Sequence, residues 1–451
     1  MGVLGIVTGI LFLSIMMIVH ELGHYLTGRK LGFDIEEFSI FMGPVLFEWE
    51  KNGIKYNIKL LPIGASVRFA GEFDDEPTDT SRSISADSDT EAAVKKEDIS
   101  GHFYNRPRWA RAIVLVTGPA LNLLSGVLAF LIMFSSFGFT IPVIAGTMED
   151  TLAYESGLAA GDRVIRANGD KIRTTLDFSG VDMFLGADDK LTLEVEKADG
   201  SNQTIDLTPR TVERYRLGIT VEQNLQDGGA VVSTVDATSN GGNPVLKPGD
   251  IILAAEAVPY SDSEAFRQTV ENSAGKPFTL TVLRDGAETD LTMSATMYED
   301  LVPTGIYFAS SDNFGEAVIQ SFQWSWSIVK VTVRSIGMMF TGAVRPQDTL
   351  SGPVGVVSMI GDVVQQRAPL RETVYQLLWM FALISVSLGF MNLLPIPPLD
   401  GNHLILTAIE AIRGKRLSMR TQSVIGFVGF ALIIGLALLG LTFDIMRLAG
   451  G

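Results

Sequence analysis

The chain has 451 residues, no cysteine and 47% apolar residues. Its mean hydropathy is positive, yet 51 acidic residues stand against 35 basic ones, giving a formal net charge of −16. This acidity argues against a nucleic-acid partner, because phosphate binding needs clustered Lys and Arg. The lack of cysteine excludes a disulfide scaffold, thiolate metal sites and cysteine catalysis.

Charge and hydrophobicity are segregated along the chain. Residues 135–300 carry a net charge of −14 and residues 72–98 a net charge of −7, so the remainder carries +5. Two acidic blocks in an apolar and mildly basic frame are typical of a membrane protein with water-exposed domains.

Four apolar stretches each approach the roughly 20 residues that cross a hydrocarbon core. A single stretch could be a buried helix of a soluble protein, but four of them favour membrane spans. The first lacks the basic n-region and the cleavage site of a signal peptide, so we expect it to be retained. The stretches are Val3–Val19, Ala112–Phe134, Val374–Leu394 and Val424–Leu441.

The distribution of basic residues predicts the orientation of the spans. Lys and Arg follow the first span, precede the second and lie between the third and fourth, whereas 135–148 has none. By the positive-inside rule, 27–109 and 395–421 are cytoplasmic, and both termini and the larger acidic block are outside. Arg367 and Arg371, which precede the third span, run against this assignment.

The inner end of the first span reads His20-Glu21-Leu22-Gly23-His24. Histidines four apart share one helix face, so both can bind one Zn²⁺ while the adjacent glutamate reaches the metal-bound water as general base. Ionisable residues in an apolar span are costly and indicate function. The alternative is a pair of interfacial histidines without a metal.

Residues Phe41–Arg68 alternate around Lys51-Asn52-Gly53, which predicts a β-hairpin. The segment is apolar enough to dip into the bilayer, and a hairpin that stays in the cytoplasm is the alternative. The acidic insert 72–98 has the low apolar content of disordered segments, and it receives no role.

The outer acidic block contains an internal repeat. Gly157–Ile165 is echoed 88 residues later by Val245–Leu253, and each copy is followed by a strand pair with an Asp-Gly hairpin signal. Two consecutive α+β domains of roughly 85 residues are predicted. Both copies resemble PDZ domains, which add an extended peptide to a sheet edge, and a structural spacer is the alternative.

Apolar residues recur at helical spacing between the repeat and the third span. They predict an amphipathic helix at the membrane interface, with core packing against the repeat domains as the alternative. The residues are Phe314, Val318, Phe322, Trp326 and Val329, with Trp324 nearby.

A zinc site needs at least one protein ligand besides the two histidines. Asp400, His403, His102 and loop carboxylates are the candidates. The third span ends in a proline-rich break before Asp400, at the depth expected for the end of the first span. The alternative role for Asp400 is to cap a helix at 401–412.

These motifs together resemble the site-2 protease family of intramembrane zinc metalloproteases. The resemblance rests on His-Glu-x-x-His in the first span, Leu-Asp-Gly after Asn-x-x-Pro-x-Pro in a later span, and PDZ domains between them. Gly118–Asn122 and Ser351–Gly355 resemble two further elements of the family, so the likeness covers almost the whole chain. Asn402 departs from the family, which has glycine there.

The resemblance implies one catalytic Zn²⁺ with Glu21 as the base. A membrane hairpin in this family is thought to pair with the extended substrate. The implied zinc ligands are His20, His24 and Asp400, and the positions linked to substrate binding are Asn392 and Pro395.

The implied protein is a multi-pass α-helical membrane protein with four transmembrane helices, a membrane-associated β-hairpin and two α+β PDZ domains. It is expected in the bacterial inner membrane, with its termini and PDZ domains periplasmic and its active site near the cytoplasmic side. The expected substrates are single-span membrane proteins, namely an anti-sigma factor already cut at its outer side and remnant signal peptides, and cleavage would release a cytoplasmic fragment for envelope-stress signalling. PDZ contacts with peptides or substrate ectodomains are expected, and nucleic-acid contacts are not.

Two other functions fit parts of the pattern. A catalytically inactive PDZ membrane scaffold is disfavoured by the intact Glu21 and Asp400. A transporter that uses the intramembrane carboxylates is disfavoured because the spans show no inverted repeat.

The expected segments follow in chain order. They are a first span with the His-Glu-x-x-His motif (1–27), a hairpin region (28–71), the acidic insert (72–101), a second span (110–135), PDZ domains (140–222 and 223–300), interfacial amphipathic helices with a linker (301–373), a third span with Leu-Asp-Gly (374–401), a cytoplasmic helix (402–421) and a fourth span (422–443).

Overall fold

The chain forms two compact units, Met1–Ile141 with Ser310–Met446 and a second unit built on Pro142–Ala309. The acidic insert from residue 73 to 99 lies outside the described residues, as do Ser351 and Arg367. The computed structural model describes residues 2–72, 100–182, 185, 189–226, 229–342, 352–365 and 368–449.

Helices and strands are numbered in chain order. The helices are α1 (Val3–Lys30), α2 (Arg108–Phe137), α3 (Leu152–Glu155), α4 (Thr175–Asp182), α5 (Ser239–Gly242), α6 (Ser263–Asn272), α7 (Phe314–Thr341), α8 (Pro353–Gln365), α9 (Leu370–Asn392), α10 (Asp400–Arg413) and α11 (Met419–Ala449). The strands are β1 (Ile35–Lys51), β2 (Ile54–Phe69), β3 (Phe139–Thr147), β4 (Arg163–Ala167), β5 (Asp170–Lys171), β6 (Leu191–Glu196), β7 (Asn202–Leu207), β8 (Thr211–Arg216), β9 (Ile219–Gln226), β10 (Gly229–Val235), β11 (Ile251–Ala255), β12 (Val258–Pro259), β13 (Pro277–Arg284), β14 (Ala287–Ser294), β15 (Thr296–Leu301) and β16 (Ile306–Ser311).

Within the described part of the chain, four helices are long and apolar enough to cross a membrane. They are α1, α2, α9 and the Arg420–Met446 part of α11, and each overlaps one of the four predicted stretches. The third ends at Asn392, directly before the proline-rich segment, because proline cannot continue the backbone hydrogen bonding of a helix.

Small residues bring α8 close to α1. A Cβ added at Gly9 of α1 would lie 2.8 Å from the carbonyl oxygen of Val357, and one added at Gly5 would lie 2.9 Å from Cα of Gly361. In a bilayer, where lipid is as apolar as leucine, such close backbone packing replaces the hydrophobic effect as the force between helices.

Helix α7 has apolar side chains on its outer face as well as on the face that packs against other helices. Its buried residues include Ala317, Ser321 and Ser325, whereas Phe322 and Trp326 are exposed, and the helix packs against α2 and α9. Small and polar residues in the helix contact, together with apolar residues on the outer face, suit a lipid environment. The predicted helix is therefore confirmed, and it is part of the first unit, with the spans.

The predicted hairpin is confirmed, with β1 and β2 joined at Asn52 and Gly53, both of which have the positive φ that a tight turn needs. Residues 37–40 have partners in both 55–58 and 65–68, so the hairpin curls on itself. The end of β2 therefore lies at the outside of the curled sheet, with one edge not covered by β1.

The second unit contains two sheets of similar topology, as the repeat predicts. In the first sheet the strand order is β16-β3-β4-β6-β7, and β5 pairs with β4. In the second sheet the order is β14-β13-β11-β10-β9, and β12 pairs with β11. Strands β8 and β15 form a separate pair. In each Gly-Asp turn a buried carboxylate has a cationic partner at 2.7 Å. These pairs are Asp162 with Lys197 and Asp250 with Arg284.

Two strands lie outside the expected domain boundaries. Strand β16 joins the first sheet, although 301–373 was expected to hold only interfacial helices and a linker. Strand β9 begins at Ile219 and belongs to the second sheet, although 140–222 was assigned to the first domain. The pairing of β16 with β3 is long-range, whereas β9 joins its sheet through the next strand in the chain, β10. The local alternation of side chains does not specify which sheet a strand joins.

Asp444 of α11 anchors the start of α8. The residue is 2% exposed, and its carboxylate accepts hydrogen bonds from the backbone N–H groups of Gly352 at 3.1 Å and Gly355 at 2.8 Å.

We predict that Asp444→Ala lowers the free energy of unfolding in detergent by about 2–4 kcal/mol, because two N–H groups lose a charged acceptor. Thr442→Ala, an exposed position on the same helix, should change it by less than about 0.5 kcal/mol. Equal stability of the two variants would contradict this role.

Candidate metal centre and active site

Three of the predicted site residues converge in the first unit. His20 Nε2 and His24 Nε2 of α1 lie 3.0 Å and 3.3 Å from Asp400 Oδ2 at the start of α10, and the two Nε2 atoms are 3.2 Å apart. The histidines are 9% and 7% exposed. Among the described residues, this is the group of His, Asp and Glu side chains that could hold a metal ion. His102 and His403 do not belong to it.

The geometry of these three donor atoms fits zinc. Zinc–ligand bonds of about 2.0–2.1 Å place the ligand atoms of a tetrahedron about 3.3–3.4 Å apart, close to the observed separations. His24 Nδ1 lies 2.9 Å from the carbonyl oxygen of Val114. When Nδ1–H donates to that carbonyl, the lone pair of Nε2 is left for a metal ion, which is the usual way of fixing the ring of a metal-binding histidine.

Two glycines allow α2 to lie against the histidine face of α1. A Cβ added at Gly118 would overlap the ring of His24, and one added at Gly23 would overlap the backbone carbonyl of Thr117. The glycine inside the His-Glu-x-x-His motif and the glycine of the Gly118–Asn122 element therefore serve the same close contact. This contact also brings the carbonyl of Val114 to His24.

Asp400 reaches the site through the break that follows α9. Leu399 is the N-cap of α10 and Asp400 is its first helical residue, and no side-chain capping bond is made, which disfavours the alternative that Asp400 merely caps this helix. A Cβ added at Gly401 would overlap two backbone carbonyls of the preceding loop. Asn402, the departure from the family pattern, is buried in the first turn of α10.

A buried ion pair holds α10 against α2. Arg111 Nη2 donates to both carboxylate oxygens of Glu410, at 2.8 Å and 2.9 Å, and the Arg111 side chain is 3% exposed. Arg108 adds a longer contact of 3.3 Å to the same carboxylate. Because α10 begins with Asp400, this pair helps to fix the carboxylate relative to the helix that contacts His24.

The predicted base, Glu21, meets the curled hairpin. Its Oε2 accepts a hydrogen bond from the backbone N–H of Val67 at 2.9 Å, so the end of β2 lies beside the metal-binding face of α1. Asn392, half-buried, is the last residue of α9, and Pro395, exposed, lies in the loop that leads to Asp400. Glu21 therefore contacts the hairpin beside the metal-binding face, and Asn392 and Pro395 lie in the segment of chain that leads to Asp400.

Two further polar residues near the site were not predicted. Asn122 lies one helical turn after Gly118, is fully buried, and has no hydrogen-bond partner for its side-chain amide within the described part of the chain. Burial raises the pKa of Glu72 to about 7, with smaller effects from the nearby charges of His24, Glu21 and Asp400. The sequence held a signal for Asn122 in the Gly118–Asn122 element, whereas Glu72 begins a segment predicted to be disordered.

Comparisons with known proteins find one family and relatives of similar length. A model of peptidase family M50 matches residues 8–436. Metalloprotease MmpA of Caulobacter vibrioides is 28% identical over 100% of this chain and 99% of its own length. A candidate zinc metalloprotease of Agrobacterium fabrum is 29% identical, with coverage of 100% and 99%. Regulator of sigma-E protease RseP of Salmonella typhimurium is 27% identical over 95% of this chain and 96% of its own length.

The donor set gives a direct prediction for metal binding. We expect Asp400→Ala to weaken zinc binding by more than about 100-fold, because residues that merely support metal ligands already change affinity by roughly 10–100-fold. Zinc content of the purified protein, measured in competition with a chelator, checks this. His403→Ala, on the same helix and outside the donor group, is the matched control and should keep its zinc. Undiminished zinc affinity in Asp400→Ala would remove Asp400 from the site.

Proposed function

The chain belongs to peptidase family M50 and is a zinc metalloendopeptidase of the site-2 intramembrane type, and we propose that it cleaves the transmembrane segment of single-span membrane proteins. The observation that carries this proposal is the buried group of His20, His24 and Asp400 next to Glu21, at the end of a helix long enough to cross a membrane. Metal-binding groups in such a place indicate chemistry performed at membrane depth.

In this proposal His20, His24 and Asp400 hold the zinc ion. A zinc ion held there would supply Lewis-acid chemistry, polarising the scissile carbonyl and lowering the pKa of a coordinated water. Glu21 takes the proton of the attacking water and passes it to the leaving amine. The hydrogen bond from the Val67 N–H to Oε2 orients the Glu21 carboxylate for this task.

The substrate must be unwound before cleavage, because a transmembrane helix hydrogen-bonds its own carbonyls. We infer that an extended segment of the substrate pairs with the end of β2, whose backbone already reaches Glu21. The exposed apolar side chains of Phe47, Trp49, Leu61 and Ile63 support a hairpin that sits in the membrane. Asn392 and Pro395, in the approach to Asp400, are assigned to substrate binding.

The four apolar helices and the bacterial relatives support a protein of the bacterial inner membrane. We place the active site near the cytoplasmic side and the termini and the Pro142–Ala309 unit in the periplasm. The support is the asymmetry of basic residues, with Arg413 at the end of the active-site helix α10 and Lys415 and Arg416 just beyond it.

We propose that the two sheet domains are PDZ domains that contact peptides or substrate ectodomains. Strand β9 is at the end of its sheet, and a groove of about 350 Å³ lies between it and α6. Leu217, Ile219 and Phe266 line the groove, and an extended peptide can add to the free strand edge beside these apolar side chains.

The substrate class we propose is a transmembrane anti-sigma factor already cut at its outer side, together with remnant signal peptides. Cleavage would release a cytoplasmic fragment for envelope-stress signalling. The support is the full-length similarity to the Salmonella regulator of sigma-E protease.

Replacement of the base separates chemistry from metal binding. Glu21→Gln should bind zinc like the wild type but cleave a single-span substrate about 10²–10⁴-fold more slowly, since the amide cannot accept the proton. Glu194→Gln, in the exposed ion pair of Glu194 with Arg166 and outside the metal-binding unit, is the matched control and should keep its activity.

The measurements are zinc content and cleavage of a single-span substrate in detergent or liposomes. Equal cleavage by wild type and Glu21→Gln would remove Glu21 as the base. A wild type that binds zinc yet cleaves no membrane substrate would favour the inactive PDZ scaffold.

Asn392→Ala tests the assignment of substrate binding. We expect a fall in kcat/KM of about tenfold, carried mainly by KM, because one hydrogen-bonding group for the substrate is lost. Zinc content should be unchanged. Asn272→Ala, at the exposed end of α6, is the control, and a loss of zinc without a change in KM would show that Asn392 supports the metal site instead.

A further inference from the structure

A cavity lies at the start of α9, at the opposite end of this helix from the metal centre. Its volume is about 400 Å³, and its walls come from the end of α2, the start of α9 and the middle of α7. Because α2 ends there and α9 begins there, and both are long enough to span, the cavity opens where a bilayer meets water.

The walls of this cavity are mainly aromatic. Trp324 and Trp379 meet edge to face with ring centroids 5.4 Å apart, and Phe137 and Tyr375 meet in the same way at 5.4 Å. Trp and Tyr are enriched at membrane interfaces, where one end of the ring is apolar and the other is wet. This composition points to a ligand that belongs to the interface.

Polar groups stand among these rings, and beside Thr140 and Ser310 they include three that can bind an ionic headgroup. The Arg371 guanidinium carbon lies 5.3 Å from the centroid of Phe137, and Glu372 follows it at the start of α9. Trp324 Nε1–H is buried and has no acceptor within the described part of the chain. Arg371 is also one of the two basic residues that run against the positive-inside rule, so orientation of the spans does not explain it.

We propose that this cavity binds the headgroup of a zwitterionic phospholipid that carries a primary ammonium, such as phosphatidylethanolamine. The phosphate would accept from Arg371 and from the indole N–H of Trp324, and the ammonium would lie against Glu372 and the aromatic faces. A purely anionic ligand is disfavoured, because Glu372 places a negative charge in the same cavity.

Native mass spectrometry of the delipidated full-length protein in detergent tests this site. With added phosphatidylethanolamine or phosphatidylglycerol, the wild type should retain one phosphatidylethanolamine and prefer it about tenfold. Arg371→Ala and Trp324→Phe should each weaken its retention by about tenfold, because each removes one donor to the phosphate. Glu372→Gln should reduce the preference over phosphatidylglycerol.

Arg420→Ala is the matched control, since Arg420 is an exposed arginine at the end of another span. It should bind lipid like the wild type, and zinc content and thermal unfolding verify that every variant is folded. The proposal is overturned if both Arg371→Ala and Trp324→Phe retain phosphatidylethanolamine like the wild type, or if the wild type binds phosphatidylglycerol equally well.

Discussion

The site depends on bringing three metal-binding side chains together within an apolar helical frame. The helical repeat places His20 and His24 on one face, but their third partner comes from the far end of the chain. Asp400 reaches them only because α9 stops at a proline-rich loop and Gly401 lets the chain fold back on itself. Gly118 then allows α2 to lie against His24 and supply the carbonyl that orients its ring.

The sequence predicts those parts of the structure that depend on local periodicity. The four apolar helices, the hairpin at Asn52-Gly53 and the helix containing Phe322 and Trp326 are all present, because each has a period or a turn signal that needs no distant partner. The His-Glu-x-x-His spacing also has a local meaning. The meeting of Asp400 with the two histidines was predicted from topology, since the two spans end at the same depth.

The remaining features depend on contacts between segments far apart in sequence. No local pattern indicates that β16 joins the first sheet, that Val67 donates to Glu21, or that Val114 accepts from His24. The raised pKa of Glu72 could not be predicted for a related reason, because an acidic residue before a polar segment gives no sign that its carboxyl group will be desolvated. Long-range backbone contacts and desolvation of single side chains follow from the packed fold, and composition does not encode them.

The central claim is that one zinc ion is bound by two imidazoles and one carboxylate at the end of the first span. Zinc K-edge X-ray absorption of the purified wild type tests it most directly, since multiple scattering counts imidazole ligands. We expect two imidazole ligands, with distances of about 2.0–2.2 Å from the zinc ion to its nitrogen and oxygen ligands. Three or more imidazoles would bring His102 or His403 into the coordination sphere, and that result would contradict the site described above.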